Sequence, residues 1–506
     1  MMKQETRQAG ILMPISALPS PYGIGCFSRE AYDLADRLFG CGQRVWQILP
    51  LSPTSYGDSP YQSFSAFAGN LYFIDPEGLI REGLSDRSAW DGALGGEGSE
   101  RIDYALQYRA RLPLLREAGE KLSLREDEGA SAFFEKAESW LSDYALFMAI
   151  KDSLGGAPLC QWPRELRRRE ARALEEQRAR LGRQIESYRY LQYRFFTEWQ
   201  ALRGYANERG VRIVGDLPIY VSADSADVWA HPELFLLDGE GEPLRVAGCP
   251  PDDFTPDGQL WGNPLYRWEA HRGEDYAWWI ARLAWAFELY DGVRIDHFRG
   301  FDSYYSIPSG AKNARDGRWE KGIGGEMFRV AEEVLGRREI LAEDLGYVTD
   351  SVRALLASCG FPGMKILQFG FGGGEEDFSS DDLPHNYPAH CVAYTGTHDN
   401  DTLLGWLTNA SEGERRKVST YLQSDAKEGR VLCEQLIATL MRSPAKLCIV
   451  PMQDYLGLSS EGRINLPARA DGNWQWRMAQ GAFDEKMQEK IRKLCLIGGR
   501  IQQRNT

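Results

Sequence analysis

Three acidic residues stand at the ends of hydrophobic runs: Asp296 in GVRIDHFRG, Glu343 in ILAEDLG and Asp399 in YTGTHDND. Each run reads as a strand that ends on a carboxylate. In a parallel β/α barrel the carboxyl ends of the strands carry the reacting groups. Three acids converging there suit a reaction that builds and discharges positive charge on a sugar ring. Such chemistry needs two carboxyls in different protonation states, one to attack the anomeric carbon and one to move a proton.

The residue spacing suggests which acid does which. Arg294 precedes Asp296 by two residues on a strand, so both side chains point to one face, where a guanidinium would keep the aspartate ionised. That makes Asp296 the candidate nucleophile. Glu343 and Asp344 are strand neighbours that face opposite ways, and the longer Glu343 is taken as the acid/base. Asp399, next to His398, could bind hydroxyls beside the reacting carbon, with His398 donating to the same ring. Other readings of these residues exist. A strand-end Asp is often a helix cap, Arg294 could be a core ion-pair partner, and His297 is expected to face away and pack.

The elements that would position these groups are eight short β-rich apolar runs: 10–15, 44–51, 212–221, 292–298, 339–346, 364–371, 391–399 and 446–456. Most are apolar on both faces, as parallel strands covered by helices should be. Helical patterns such as REAYDLADRLFGCG and MFRVAEEVLGRRE lie between them. The expected fold is therefore an α/β TIM (β/α)8 barrel spanning 1–506, with long insertions and no C-terminal β-sandwich domain. A mainly helical subdomain is expected at 100–205, between strands 2 and 3. An inserted loop region at 222–275, after strand 3, is expected to carry an active-site lid around 247–266, with Gly248, Gly258 and Gly262 allowing movement.

Composition narrows the class. The chain has 506 residues, a formal net charge of -14, 43% hydrophobic and 12% aromatic residues. The acidic balance argues against nucleic acid. The basic run 164–183 interleaves Glu with Arg at helical spacing and reads as a solvated helix face. Nine scattered cysteines without a CxxC pair read as buried thiols in a reducing compartment, not as a metal site or disulfides. MMKQETRQAG lacks a signal-peptide core, and no run of about 18 apolar residues offers a membrane span. The expectation is a soluble cytoplasmic protein. GFGGGEED resembles a phosphate loop only loosely.

Taken together, SPYQSFSAFAGN (59–70), GDLPIYVSADSADVWAHPELF (215–235), GQLWGNPLY (258–266), RIDHFRG (294–300), AEDLG (342–346) and GTHDNDT (396–402) resemble the amylomaltase family, the 4-α-glucanotransferases or disproportionating enzymes of the α-amylase superfamily. The resemblance runs from about residue 10 to 475. It implies a retaining transfer of α-1,4-glucan chains through a covalent glucosyl-Asp296 intermediate, with Glu343 as acid/base, Asp399 as transition-state stabiliser, α-glucans as substrates, and no cofactor or metal. It further implies that Tyr61 stacks beneath the donor ring, Asp216 contacts its hydroxyls, Arg294 flanks the nucleophile, His398 meets the donor glucose, Trp261 closes over the glucan and Asn465 lies on the acceptor side. Two positions depart from the family pattern: Asp253 stands where Tyr is usual, and Leu71 where Pro is usual. The first bears on acceptor contacts. Tyr56 reads equally as a second glucan-binding residue or a buried loop tyrosine.

The rival activities are an α-glucan hydrolase with the same acids and, from another class, a Mg²⁺-dependent barrel lyase. The lyase would need metal-binding acids on successive strands and a Lys or His base. These acids fall on strands four, five and seven. A non-catalytic maltodextrin-binding protein is a further rival.

Overall fold

The computed structural model describes residues 7–55, 57–94, 100–125, 127–251, 255–467, 469 and 471–501; Tyr56 and Asp253 lie outside them. Eight parallel strands form the central sheet: β1 (Gln8–Leu12), β2 (Val45–Gln47), β3 (Arg212–Leu217), β6 (Gly292–Ile295), β9 (Ile340–Ala342), β10 (Gly363–Ile366), β11 (Cys391–Tyr394) and β12 (Leu447–Pro451). Their order is β10-β11-β12-β1-β2-β3-β6-β9, so the chain winds around the ring in sequence. The two outer strands meet where Ala342 N–H donates to Pro362 O at 3.1 Å. Just beyond, a side chain replaces the ladder: Asp344 Oδ1 accepts from Met364 N–H at 2.7 Å. The ring is an (β/α)8 barrel, as the strand–helix alternation predicts.

That seam explains a glycine. A Cβ built at Gly363 would sit 2.5 Å from Asp344 Oδ2. Gly363→Ala should therefore push the carboxylate off the strand and cost about 1–3 kcal/mol through overpacking. The expected reading is a lower denaturation midpoint.

All eight runs expected from the sequence form strands, but the hydrogen-bonded ladders are shorter. β11 stops at Tyr394, so Asp399 lies in the following loop and not at the strand end. The apolar run misleads here because Thr395, Thr397 and His398 stay buried after the ladder ends.

Helices cover the barrel, and local chemistry sets their limits. In Asp350–Cys359 the Thr349 side chain accepts from Val352 N–H, and Gly360 at φ 67° ends the helix in the left-handed region. Ser411 and Glu414 form a capping box for Glu412–Leu422. Between β2 and β3 the chain makes the helices Leu112–Leu122, Glu138–Ser153 and Ala171–Glu208. The last has 38 residues and is broken at Leu181, whose φ/ψ is non-helical. Its second half buries Leu191, Phe195, Trp199 and Leu202 at helical spacing. Its basic first half is laced by ion pairs such as Arg172–Glu176 and, just upstream, Arg167–Glu240.

One element went unread in the sequence. β4 (Arg245–Cys249), β5 (Gln259–Pro264), β7 (Ser303–Pro308) and β8 (Arg318–Lys321) make a four-stranded antiparallel sheet in the order β5-β4-β7-β8. Gly248 in β4 and Gly258 just before β5 serve close packing: a Cβ at Gly248 would lie 2.1 Å from Gln259 O, and one at Gly258 would lie 2.5 Å from Cys249 O. Gly262 has open space around it and a positive φ of 82°.

The far end of the chain is stitched to its beginning. Arg500 is buried and donates to Met441 O at 2.8 Å, Ala445 O at 3.0 Å and Gln8 O at 2.9 Å. No β-sheet follows β12 among the described residues. Among them, too, no helix is long and apolar enough to cross a membrane. None of the nine cysteines forms a disulfide; six are buried, as expected, but Cys249 and Cys359 are only partly so and Cys160 is exposed.

Candidate active site

The carboxylates are placed by strand register. Ile295 on β6 pairs with Ala342 on β9, so Asp296 and Glu343 are the next pair in line at the barrel mouth. Asp296 N–H donates to Leu217 O and Glu343 N–H to Ile295 O, each at 3.0 Å, which continues the ladder through both residues.

Register also pairs Asp216 on β3 with Arg294 on β6. Arg294 Nη1 donates to both Asp216 oxygens at 2.7 Å and to Asp296 Oδ1 at 3.1 Å. The Asp216 side chain is 0% exposed, Arg294 3% and Asp296 25%. Asp216 thus meets Arg294 and Tyr61, whose hydroxyl donates to Asp216 Oδ2 at 2.8 Å. Arg294 is at once a neighbour of Asp296 and a core ion-pair partner.

Glu343 is held at both oxygens. Oε2 accepts from His297 N–H at 2.6 Å and Oε1 from Leu345 N–H at 2.9 Å. Burial raises Glu343 above the ordinary carboxylate range, against Arg294 and these two N–H donors. Asp296 is raised as well, by burial, with Arg294 opposing and Asp216, Glu343 and Asp399 adding negative charge. Asp216, Glu343 and Asp399 thus share the neighbourhood of Asp296 with the Arg294 guanidinium. A guanidinium contact favours a carboxylate more than neutral N–H donors do. Asp296 has the direct guanidinium contact, and Glu343 has two neutral backbone donors.

Asp399 reaches the same mouth from the loop after β11. Its Oδ1 accepts from Asn465 Nδ2 at 2.6 Å and lies 3.4 Å from His398 Nε2. Its side chain is 43% exposed. Arg463 Nη2 donates to Asp399 O at 2.6 Å and its Nε to Asn465 O at 2.7 Å, clamping the two loops together. His398 is buried, and that burial lowers its pKa against the pull of Asp399, so the ring is a neutral donor. Tyr61 stacks on His398 with centroids 5.1 Å apart at 17°. Trp474 packs against both, 5.6 Å from Tyr61 and 5.8 Å from His398.

Arg463 and Trp474 were not singled out from the sequence. The only signal was their place around GRINLP and among the abundant tryptophans. Trp261 lies on β5, with its ring edge-on to His297 at 4.9 Å. His297 does pack, as expected, but its backbone also touches the site.

A parallel barrel whose mouth gathers carboxylates, an arginine and stacked aromatic rings defines a barrel enzyme of carbohydrate chemistry. Residues 13–482 match the family described as 4-alpha-glucanotransferase. A 4-alpha-glucanotransferase from Thermus thermophilus is 47% identical over 97% of this chain and 98% of that protein. One from Streptococcus pneumoniae is 46% identical over 98% of each. The solved amylomaltase from Streptococcus agalactiae in complex with acarbose is 42% identical, covers 98% of this chain and 99% of its own, and superposes with a TM-score of 0.94. The chain belongs to the 4-alpha-glucanotransferase family, and its enzymatic activity is that of the family. A more distant amylomaltase, from Corynebacterium glutamicum, shares the fold at 17% identity and a TM-score of 0.78, covering 97% of this chain and 75% of its own.

Proposed function

We propose that the transfer runs by double displacement on these residues. Asp296 attacks the anomeric carbon of the donor. The bond to the departing glucan breaks as that oxygen takes the proton from Glu343, leaving a glucosyl–Asp296 ester. The 4-hydroxyl of an acceptor glucan or glucose then gives its proton to Glu343 and attacks the same carbon, releasing Asp296. Asp399, held by Asn465, grips sugar hydroxyls beside the reacting carbon as charge develops. His398 donates to the donor ring, and Tyr61 presents its face to it. Asn465 serves the site through Asp399, and Trp261 borders the cleft beside His297.

The observation that carries this reading is the ladder register that sets Asp296, flanked by Arg294, opposite Glu343. Acarbose, bound by the Streptococcus agalactiae relative, fits an α-glucan site of this kind. Nine cysteines without a disulfide support a reducing, cytoplasmic setting.

Maltotriose tests the function. Longer oligomers together with glucose are the expected products. Steady growth of reducing ends with no longer products would mean hydrolysis instead. The protonation scheme has its own check, the pH profile of kcat/KM. Glu343 must keep its proton to act as acid, so kcat/KM falls as pH rises through its pKa, which burial holds above the ordinary 4.5. Asp296 must lose its proton to attack, so the rate also falls as pH drops through a raised pKa. Both limbs should lie above the pH at which free carboxyls titrate.

A further inference from the structure

His297 separates Asp296 from the rest of the turn, and its backbone is unusual. It sits at φ 48°, ψ 46°, in the left-handed region that non-glycine residues seldom enter. In that conformation its N–H points at Glu343 Oε2, 2.6 Å away. The imidazole is buried and its Nε2 has no hydrogen-bond partner among the described residues. The Trp261 indole meets the ring edge-on at 4.9 Å. Strain of this sort persists when the surroundings enforce it, and it clusters where geometry matters for function.

We propose that His297 is a positioning residue: its left-handed backbone, pinned by the ring against Trp261, is a clasp that aims the Glu343 carboxyl at the barrel mouth. The inference rests on the reading of Glu343 as acid/base. The second clasp point is Leu345 N–H on Oε1, so each oxygen is fixed by one donor. Because His297 follows Asp296 directly, the nucleophile and the aim of the acid are set by one turn of chain. Trp261 belongs to β5, and its contact links that strand to the acid.

The charged groups facing Glu343 are Arg294 and Asp296 from β6 and its end, Arg299 from the turn beyond, and Asp344 beside it. A substitution at His297 that keeps these groups alters Glu343 through the N–H donor. That donor favours the ionised form. Losing it would leave Glu343 protonated to higher pH and badly aimed.

The test compares His297→Gly, →Asn, →Ala and →Val. All remove the imidazole, but tolerance of left-handed backbone falls in that order. The expected result is that kcat for maltotriose follows the order, with H297V more than tenfold below H297G. The alkaline limb of kcat/KM should move to higher pH in H297V relative to H297G. Should H297V not fold, H297N and H297A decide the matter, since both fill little space and differ in backbone tolerance; H297N should be the more active. Equal activity and equal alkaline limbs across the series would overturn the clasp. E343Q, measured alongside, should lose about 10²–10⁴-fold in kcat. An active E343Q would overturn both the acid/base reading and the clasp. An inactive E343Q with a flat His297 series would overturn the clasp alone.

Discussion

Asp296→Asn is expected to lower kcat for maltotriose disproportionation by about 10⁴-fold or more, the scale seen when a covalent nucleophile is removed. The structure makes this substitution clean. An Asn keeps an oxygen for the 3.1 Å contact with Arg294, keeps the backbone N–H on Leu217 O, and keeps the volume. Only the attacking charge is lost. Denaturation midpoint and maltotriose binding by calorimetry should stay near those of the parent. Retention of most of the transfer activity would rule out Asp296 as the nucleophile.

Arg294→Met is expected to act on stability as strongly as on rate. Arg294 neutralises a wholly buried Asp216 through two 2.7 Å contacts. Removing one member of a buried pair leaves an uncompensated charge and costs about 3–5 kcal/mol. The denaturant midpoint should fall accordingly. The double variant D216L/R294M should recover much of that loss, because it removes the stranded carboxylate. It should not recover kcat. Asp296 would have lost the guanidinium that fixes it, and a displacement of about 1 Å costs on the order of 10²-fold. An R294M protein as stable as the parent would overturn this account of the Asp216–Arg294 pair.

The parts of this site that could be read from the sequence were those within one strand. Arg294 and Asp296 sit two apart, and the alternation of a strand brings them to one face. Glu343 over Asp344 followed from the same rule, and Asp344 turns the other way to close the barrel seam. The partnership of Asp216 with Arg294 was hidden because it depends on the register between two strands, which no local pattern reports. The Asn465–Asp399 contact joins loops 66 residues apart. The antiparallel sheet was missed for a similar reason. Its strands come from two different connections, and GCPPDDFTPDGQLWGNPLY is so rich in Gly and Pro that it reads as loop. Strand ends extend too far in the sequence reading because the segments after the ladders remain buried, as at 395–398.

The contact between Arg500 and Gln8 has a consequence for how the molecule is made. Strand β1 lies between β2 and β12, so one of its edges stays open until the last strand arrives. The guanidinium that ties the ends together is 492 positions from its acceptor, an interval of roughly 25–100 s at ribosomal elongation of ~5–20 residues/s. For most of that time, until Leu447–Pro451 emerges, the nascent chain presents an unpaired parallel edge, the feature that makes partly folded chains prone to sticking together. Helper proteins that shield nascent β-edges should therefore raise the yield of this enzyme more than that of a protein whose neighbouring strands are close in sequence.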